Sequence, residues 1–183
     1  AEEISSWTDN GSGIYYASLT VESFPNIILI DEVNTPMGRF PDSTYLILDS
    51  SVGTTSITDS ELNSAVTDWD GAELVIRKNR WITDRCRITD HTNQTLTYTT
   101  LTTYTTSAGY GYFIQDDIRT LTRFGEWYFD DATNRLYMYF GAENPAAYSV
   151  KYAALNNNIN AISYDYLMFE NLDLYVANFA SVN

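Results

Sequence analysis

The chain has 183 residues and carries 10 Lys and Arg against 24 Asp and Glu, which gives a formal net charge of −14 and enough length to bury a core. Its 44% apolar and 15% aromatic residues, with only 4 Pro and 9 Gly, exclude a disordered chain, and the negative charge argues against nucleic acid, a heparin-like glycan or an anionic membrane as the partner. One Cys and one His exclude an internal disulfide and a Cys/His zinc site, and no apolar run is long enough for membrane insertion.

Seven short runs predict strands, because apolar or aromatic residues alternate in them with polar ones and turn residues bound them. The runs are 14–20, 26–32, 45–49, 72–78, 81–88, 94–100 and 147–153. Cys86 alternates with arginines in one run, so we expect it to face the core, whereas His91 in a Thr-rich run is expected on the surface. The sequence therefore predicts an all-β fold, either an antiparallel β-sandwich or an open barrel.

One short helix is predicted over residues 58–66. Thr58 and Glu61 have the spacing of a capping box, in which two side chains satisfy backbone N–H groups at the start of a helix. Leu62, Ala65 and Val66 then follow at the spacing of one helical face. The pattern covers about two helical turns.

Residues 126–140 contain the clearest pair of strands in the sequence. Two aromatic runs flank residues 131–134, whose Asp, Ala, Thr and Asn favour a tight turn. Strand alternation places five apolar side chains on one face, namely Trp127, Phe129, Leu136, Met138 and Phe140. The other face receives Tyr128, Tyr137 and Tyr139. We expect the apolar set in the core and the tyrosines in an outward-facing row.

The pattern changes at about residue 156. Residues 156–162 are rich in Asn and Ile, and residues 166–178 contain short apolar groups separated by Asn and Asp. This rhythm is typical of the coils of a parallel β-helix, although one or two coils are too few to form a solenoid alone. We therefore divide the chain into an antiparallel β-domain, residues 1–155, and a segment 156–183 that either begins β-helix-like coils or supplies the last strands of the same domain.

Six short stretches together resemble a known family: 13–17 (GIYYA), 38–41 (GRFP), 69–77 (WDGAELVIR), 81–85 (WITDR), 125–130 (GEWYFD) and 136–139 (LYMY). Their order is similar to that in the β-domain inserted near the start of bacterial right-handed parallel β-helix proteins, which are pectate-lyase-like and act on polysaccharides. The resemblance covers nearly the whole chain and implies that residues 166–178 are similar to the coil after the insert. It also implies that the catalytic carboxylates are carried by later coils, so no catalytic residue is carried over by position.

Aromatic side chains are the candidate carbohydrate-binding residues, because the C–H faces of sugar rings stack on flat aromatic rings. The candidates are Tyr128, Tyr137, Tyr139, Trp69, Trp81, Tyr110 and Tyr112. The alternative for each is cross-strand packing on a half-exposed sheet face, because Tyr favours strands with or without a ligand.

Five of the 10 positive charges lie close together in sequence: Arg77, Lys78, Arg80, Arg85 and Arg87. This basic cluster has two interpretations. Guanidinium groups bind the carboxylates of an acidic polysaccharide through paired hydrogen bonds. The interpretation that we favour is internal pairing with the acidic residues at positions 68, 70, 73 and 84, because charged side chains on strand faces are mostly solvated and paired.

No cofactor is expected, and calcium is the one metal that the sequence suggests. Asp68 and Asp70 have part of the spacing of an oxygen-ligand loop, with solvated turn carboxylates as the alternative. A glycosidase needs two carboxyl groups, and Glu126 is a candidate general acid. The alternative for Glu126 is that it fixes a turn or pairs with Arg123 or Arg135.

The leading interpretation is a non-catalytic carbohydrate-binding or accessory module of a secreted or cell-surface bacterial protein that degrades polysaccharide. Its partners are then a polysaccharide or oligosaccharide and the remaining β-helix of the parent protein. The first alternative is a truncated N-terminal part of a β-helix glycoside hydrolase or polysaccharide lyase, and the second is a cell-surface adhesion or structural domain. Solvent-facing aromatic rings favour the first interpretation, an apolar patch at residues 160–180 favours the truncated enzyme, and neither feature favours the adhesion domain.

Overall fold

A computed structural model describes residues 1–100, 102–162 and 165–178 and the backbone of residues 180–182. Residues 163, 164, 179 and 183 of the expected β-helix-like segment therefore lie outside the described residues, as does residue 101. The described strands are, in chain order, β1 (Glu2–Glu3), β2 (Thr8–Gly11), β3 (Ile14–Ser18), β4 (Ile28–Ile30), β5 (Val33–Thr35), β6 (Arg39–Phe40), β7 (Leu46–Ile47), β8 (Ser50–Val52), β9 (Ser56–Thr58), β10 (Glu73–Arg77), β11 (Thr83–Thr92), β12 (Thr95–Tyr98), β13 (Gly111–Gln115), β14 (Trp127–Asp130), β15 (Arg135–Tyr139), β16 (Val150–Tyr152), β17 (Asn157–Ile159) and β18 (Ala180–Val182).

The fold class predicted from the sequence is confirmed. Each of the seven runs chosen by alternation contains a strand, and the predicted hairpin consists of β14 and β15. The sheets are antiparallel except for one pair, and the described strands form no closed barrel, as expected for a fold of the sandwich type. Helical structure among the described residues is limited to the 3-10 turns Ile118–Thr120 and Pro145–Ala147, and no helix there is long and apolar enough to span a membrane.

The helix predicted over residues 58–66 is wrong, because this segment forms successive turns. Thr58 is the last residue of β9 and pairs with β12, so it does not act as a helix cap. Asp59 fixes the turn instead: its Oδ1 accepts the N–H of Glu61 at 2.8 Å and its Oδ2 accepts the hydroxyl of Tyr112 at 2.7 Å. The tertiary hydrogen bond to Tyr112 thus overrides the local helix propensity.

The chain divides into two compact units, each with its own buried residues. Unit 1 consists of Ala1–Pro36 and Arg123–Asn183, and unit 2 consists of Met37–Thr122. In the order of the chain, unit 2 is therefore an insertion into unit 1. The boundary that the sequence suggests at residue 155 stays a prediction.

Unit 2 consists of one antiparallel sheet in the strand order β6-β13-β10-β11-β12-β9-β8, with β7 also paired to β13. Its core is formed by Leu46, Leu48, Ile57, Leu62, Trp69, Ala72, Leu74, Ile76, Cys86, Ile88, Leu96, Tyr98, Tyr112 and Ile114. Cys86 therefore faces the core, as the sequence predicts. Alternate residues of β10, β11 and β13 turn away from this core and leave a solvent-facing side of the sheet.

The surface position predicted for His91 is wrong, because a β-bulge in β11 changes which residues face the core. The register of β11 against β12 shifts between Ile88 and Asp90, so the inward positions 84, 86 and 88 continue at residue 91. The imidazole is buried, and its Nδ1 accepts the backbone N–H of Trp69 at 3.1 Å. Burial lowers the pKa of His91, although the carboxylate of Asp68 opposes this effect.

Unit 1 contains two antiparallel sheets, with the strand orders β1-β16-β4-β5 and β14-β15-β3-β2. The alternation predicted for the hairpin is confirmed, because the five apolar side chains are buried: Trp127, Phe129, Leu136, Met138 and Phe140. A close backbone contact lies beside this hairpin. Gly13 has a φ of +78°, and a Cβ there would lie 2.7 Å from the Cα of Gly141, so only glycine fits at this turn between β2 and β3.

The segment after residue 155 contains a parallel strand pair, in which β17 pairs with β18. Between these two strands, large apolar side chains are exposed, and we call them the C-terminal apolar segment: Ile162, Tyr166, Leu167, Met168, Phe169, Leu172 and Tyr175. Parallel pairing is the arrangement of strands in a β-helix. The assignment of this segment to a β-helix stays a prediction.

Candidate functional site

An open groove of about 530 Å³ crosses the solvent-facing side of the unit 2 sheet. Its volume lies in the range of small-molecule binding sites. The lining residues are Tyr45, Ile47, Val75, Arg77, Arg80, Trp81, Thr83, Gly111 and Phe113. They come from β7, β10, β11 and β13, from the residue before β7 and from the turn between β10 and β11. We call this site the unit 2 groove.

Strand alternation brings the groove residues to one face. In β10, Leu74 and Ile76 point into the core, so Val75 and Arg77 point toward the groove. The antiparallel register between β10 and β13 then sets Val75 opposite Phe113. The floor of the groove is therefore a consequence of the same alternation that forms the core.

Two exposed aromatic rings stand on this floor. Tyr45 is 61% exposed and meets the ring of Phe113 at 5.9 Å between centroids. A Cβ at Gly111 would lie 3.0 Å from the Cβ of Tyr45, so the missing side chain lets Tyr45 lie close to the sheet. Trp81 is 83% exposed, and its backbone N–H donates to Oδ1 of Asn79 at 2.9 Å, which fixes the turn that carries the indole.

Three arginines in or beside the groove lie near aromatic rings, in cation–π contacts. The guanidinium carbon of each lies near a ring centroid, Arg39 at 3.8 Å from Phe113, Arg77 at 5.5 Å from Tyr110 and Arg80 at 5.9 Å from Trp81. Backbone carbonyls hold two of them: Arg39 Nε donates to Pro41 at 3.0 Å, and Arg77 Nη2 donates to Arg80 at 2.9 Å. None of the three forms an ion pair with a carboxylate in the part of the chain that the structure describes.

The other two arginines of the basic cluster are paired with carboxylates, Arg85 with the expected Glu73 and Arg87 with Asp116, which was not among the expected partners. Nε and Nη2 of Arg85 both bind the carboxylate of Glu73, with the closest contact at 2.8 Å. Arg87 lies 3.4 Å from Asp116. The basic cluster is therefore divided. Arg85 and Arg87 form ion pairs with carboxylates of the same chain, and Arg77 and Arg80 face the groove.

Lys78 of the same cluster is a core residue. Its Nζ is fully buried and lies 3.1 Å from Oδ2 of Asp84. The ammonium also donates to the carbonyl of Thr54 at 3.2 Å and to the hydroxyl of Thr100 at 2.8 Å. Oδ2 of Asp84 accepts a further hydrogen bond from Thr102 at 2.8 Å. Lys78 is thus a satisfied internal cation and does not reach a ligand at the surface.

Two predicted carbohydrate-binding residues are core residues as well. Trp69 is 4% exposed, and its ring stacks on Phe40 with 5.2 Å between centroids. Tyr112 is turned inward on β13, and burial together with the hydrogen bond to Asp59 raises its pKa. Neither ring has a face available to a sugar, so both are removed from the candidate set. The two neighbours of Tyr112 on β13, Gly111 and Phe113, reach the groove instead.

The predicted tyrosine row lies on the outer face of β14 and β15. Tyr128, Tyr137 and Tyr139 are all half-buried. The rings of Tyr128 and Tyr137 stack with 5.8 Å between centroids, and Tyr16 of β3 lies on the opposite side of Tyr137 at 5.5 Å. These rings pack across strands, which is the alternative that the sequence left open. A role of the row in ligand binding stays a prediction.

The predicted calcium ligands lie on an exposed turn. Asp68 Oδ1 accepts the N–H of Asp70 at 3.0 Å and lies 3.8 Å from Nδ1 of His91. Within residues 1–100, 102–162 and 165–178, no three or more His, Cys, Asp and Glu side chains form a group that could hold a metal ion. Calcium binding at this turn stays a prediction.

Glu126, the candidate general acid, is buried beside β14. Its Oε2 accepts the backbone N–H of Arg123 at 2.8 Å, and its own backbone N–H donates to the carbonyl of Arg123 at 3.0 Å. The carboxylate therefore fixes the turn before the strand, as the alternative interpretation expects.

Sequence reasoning missed Arg39 beside the groove and six residues of its lining: Tyr45, Ile47, Val75, Thr83, Gly111 and Phe113. A signal for two of them was present, because residues 111–115 alternate as a strand and Phe113 shares a face with Gly111. The position of Tyr45 beside Phe113 depends on the pairing of β7 with β13, which joins residues far apart in sequence. Single-strand alternation does not contain that information.

Comparisons with known proteins give a likeness of fold. No protein-family model and no curated protein sequence matches the chain. A solved structure titled "Glycoside hydrolase" is similar, with a TM-score of 0.65 at 13% sequence identity. The similarity covers 87% of this chain and 32% of that chain, so this chain spans about a third of the length of that structure. The two proteins therefore share an all-β fold over most of the present chain.

Proposed function

We propose that this chain is a non-catalytic carbohydrate-binding module of a secreted bacterial protein that degrades polysaccharide, and that the unit 2 groove holds the glycan. The observation that carries the proposal is the pair of exposed rings, Tyr45 and Trp81, on an open groove with guanidinium groups beside them. The similarity of fold to a glycoside hydrolase supports a carbohydrate as the ligand. A glycan chain extends beyond any one sugar, so an open groove suits it better than a closed cavity.

The chemistry of binding follows from the two kinds of groups in the groove. The C–H face of a sugar stacks on the indole of Trp81 or the phenol of Tyr45, while Arg77 and Thr83 donate hydrogen bonds to its hydroxyl oxygens. No step of bond cleavage is assigned to this chain. Incubation of the purified chain with the polysaccharides used below should therefore release no reducing ends.

Trp81→Ala should weaken glycan binding by about 1–3 kcal/mol, the scale of one or two lost aromatic contacts. The fold should stay intact because the indole is almost fully exposed. Plant, algal and host polysaccharides are first compared by affinity gel electrophoresis, and the affinity for a bound one is then measured by calorimetry. Tyr104→Ala is the matched control, since Tyr104 is an exposed aromatic residue of unit 2 outside the groove lining.

Two results would contradict the proposal. If no polysaccharide in the gel retards the chain, glycan binding is wrong, and the truncated enzyme and the adhesion or structural domain remain. If Trp81→Ala and Tyr104→Ala lower a measured affinity equally, binding does not use the groove. In that case the row of Tyr128, Tyr137 and Tyr139 is the next candidate.

A second candidate function is the N-terminal part of a β-helix glycoside hydrolase or polysaccharide lyase. The C-terminal apolar segment and the parallel pairing of β17 with β18 favour it, because exposed apolar side chains next to a parallel pair are what further coils would cover. In that case, the remaining β-helix of the parent protein is the partner of this segment and contains the catalytic carboxylates.

We expect the purified chain to self-associate at high concentration through the C-terminal apolar segment, which light scattering measures. A triple substitution of Leu167, Met168 and Phe169 by Ser should shift the chain toward the monomer. Val52→Ser with Val66→Ser is the control, because both valines are highly exposed apolar residues of unit 2. If the chain without these substitutions stays strictly monomeric at high concentration, the result counts against this candidate.

A further inference from the structure

Charge in unit 2 is segregated between internal ion pairs and the groove. Among the described residues, the paired cations of the basic cluster are Lys78, Arg85 and Arg87, and the unpaired guanidinium groups at the groove are Arg39, Arg77 and Arg80. The groove lining contains no Asp or Glu, although the chain has 24 acidic residues. The unpaired positive charges therefore collect at a groove whose lining residues include no carboxylate.

The guanidinium groups retain donors for a ligand. Arg77 uses Nε and Nη2 for the carbonyls of Asn79 and Arg80, which fixes its plane and leaves Nη1 for a ligand. Arg39 is held in the same way by the carbonyls of Pro41 and Thr44. A fixed guanidinium plane matches the paired oxygens of a carboxylate or a sulfate, and the adjacent ring takes the face of the sugar that carries this group.

We propose that the unit 2 groove selects anionic sugars, with a uronate carboxylate or a sulfate ester on Arg77 and Arg80 and the sugar ring on Trp81. This inference rests on the proposed function and adds the class of glycan. The net charge of −14 repels a densely charged polymer, so the ligand is a short or sparsely charged glycan. Repulsion by the rest of the chain is screened over about 8 Å at physiological ionic strength, whereas the contacts in the groove are direct.

Tetragalacturonate and its methyl ester test this selectivity, because the two probes differ in the charge of the carboxyl groups. Calorimetry at about 0.15 M salt should give an affinity at least tenfold higher for the acid, the scale of one charge-assisted hydrogen bond. A sulfated galactan tetrasaccharide and its desulfated form are measured in parallel. Preference for the acid over its ester identifies the anion as a uronate, and preference for the sulfated form over the desulfated one identifies it as a sulfate ester.

Arg80→Gln should weaken binding of the anionic probe about tenfold and leave the affinity for the neutral probe within about twofold. Arg85→Gln is the matched control. It removes the same unit of charge from the same sheet face, but its guanidinium is already bound to Glu73, so its effect should stay within about twofold. Circular dichroism spectra of both variants verify that the fold is retained.

The outcomes separate this inference from the proposed function. Equal affinity for the charged and neutral probes, with Trp81→Ala still weakening both, would overturn the selectivity and leave glycan binding in place. If Arg80→Gln and Arg85→Gln weaken binding of the anionic probe equally, the preference arises from long-range charge, and the proposed selectivity of the groove is also overturned. The absence of binding to every polysaccharide would overturn the proposed function itself.

Discussion

Lys78→Met should lower the free energy of unfolding by about 3–5 kcal/mol, because it leaves the buried carboxylate of Asp84 without its counter-ion. The same substitution removes a donor from Thr54 and Thr100, whose oxygens accept hydrogen bonds from the ammonium. Urea unfolding followed by circular dichroism measures the change. This effect is large because a domain of this kind is stable by only about 5–15 kcal/mol.

A control and a double variant separate this buried pair from the exposed ones. Arg85→Met also removes a cation from an ion pair, but at an exposed site, where the loss should be within about 1 kcal/mol. Lys78→Met combined with Asp84→Leu should lose less than the two single variants together, because no buried charge is then left unpaired. Additive losses in the double variant would contradict the buried pair as the cause.

Trp127→Ala and Phe129→Ala should each lower the free energy of unfolding by about 3–5 kcal/mol, because each empties a filled core site in unit 1. Trp127 also loses the hydrogen bond from its Nε1 to the carbonyl of Thr35 at 3.0 Å. Urea unfolding again measures the loss. A loss below 1 kcal/mol at either position would contradict the assignment of this face to the core.

The opposite face of the same hairpin supplies the comparison. Replacement of Tyr137 and Tyr139 together by Ala should lower the free energy of unfolding by about 1–3 kcal/mol. The ring contacts of Tyr137 with Tyr128 and Tyr16 are lost, but both tyrosines are only half-buried, so no filled core site is emptied. If this variant also weakens glycan binding while Trp81→Ala does not, the tyrosine row rather than the unit 2 groove holds the ligand.

Local alternation was sufficient for nine of the 18 described strands and for the two faces of the β14–β15 hairpin, because each strand has a period of two whatever its partner. It failed where a distant residue decides the structure. Asp59 accepts a hydrogen bond from the hydroxyl of Tyr112, which lies 53 positions later in the sequence, and the segment forms turns instead of the predicted helix. The bulge after Ile88 reverses the phase of β11 and buries His91. Neither effect is present in the local pattern.

The candidate site was predicted in part for the same reason. Trp81 and the exposed arginines were found as residue types, but Trp69 and Tyr112 have the same chemistry and are buried. The charge pattern in sequence also did not distinguish Lys78, which is internal, from Arg77 at the adjacent position. Strand alternation assigns the two to opposite faces, but a cation on the inner face is possible only through its pairing with Asp84.

The insertion of unit 2 into unit 1 imposes an order on synthesis. In unit 1, β3 pairs with β15 and β4 pairs with β16, so strands synthesised before unit 2 need partners that are made after residue 122. The strands of unit 2 all emerge from the ribosome before those partners exist, so the central segment is able to fold first. During that interval, the edge of β3 that pairs with β15 and the edge of β4 that pairs with β16 have no partner strand. A substitution that slows the folding of unit 2 would therefore delay the completion of unit 1, although the two units share no strand.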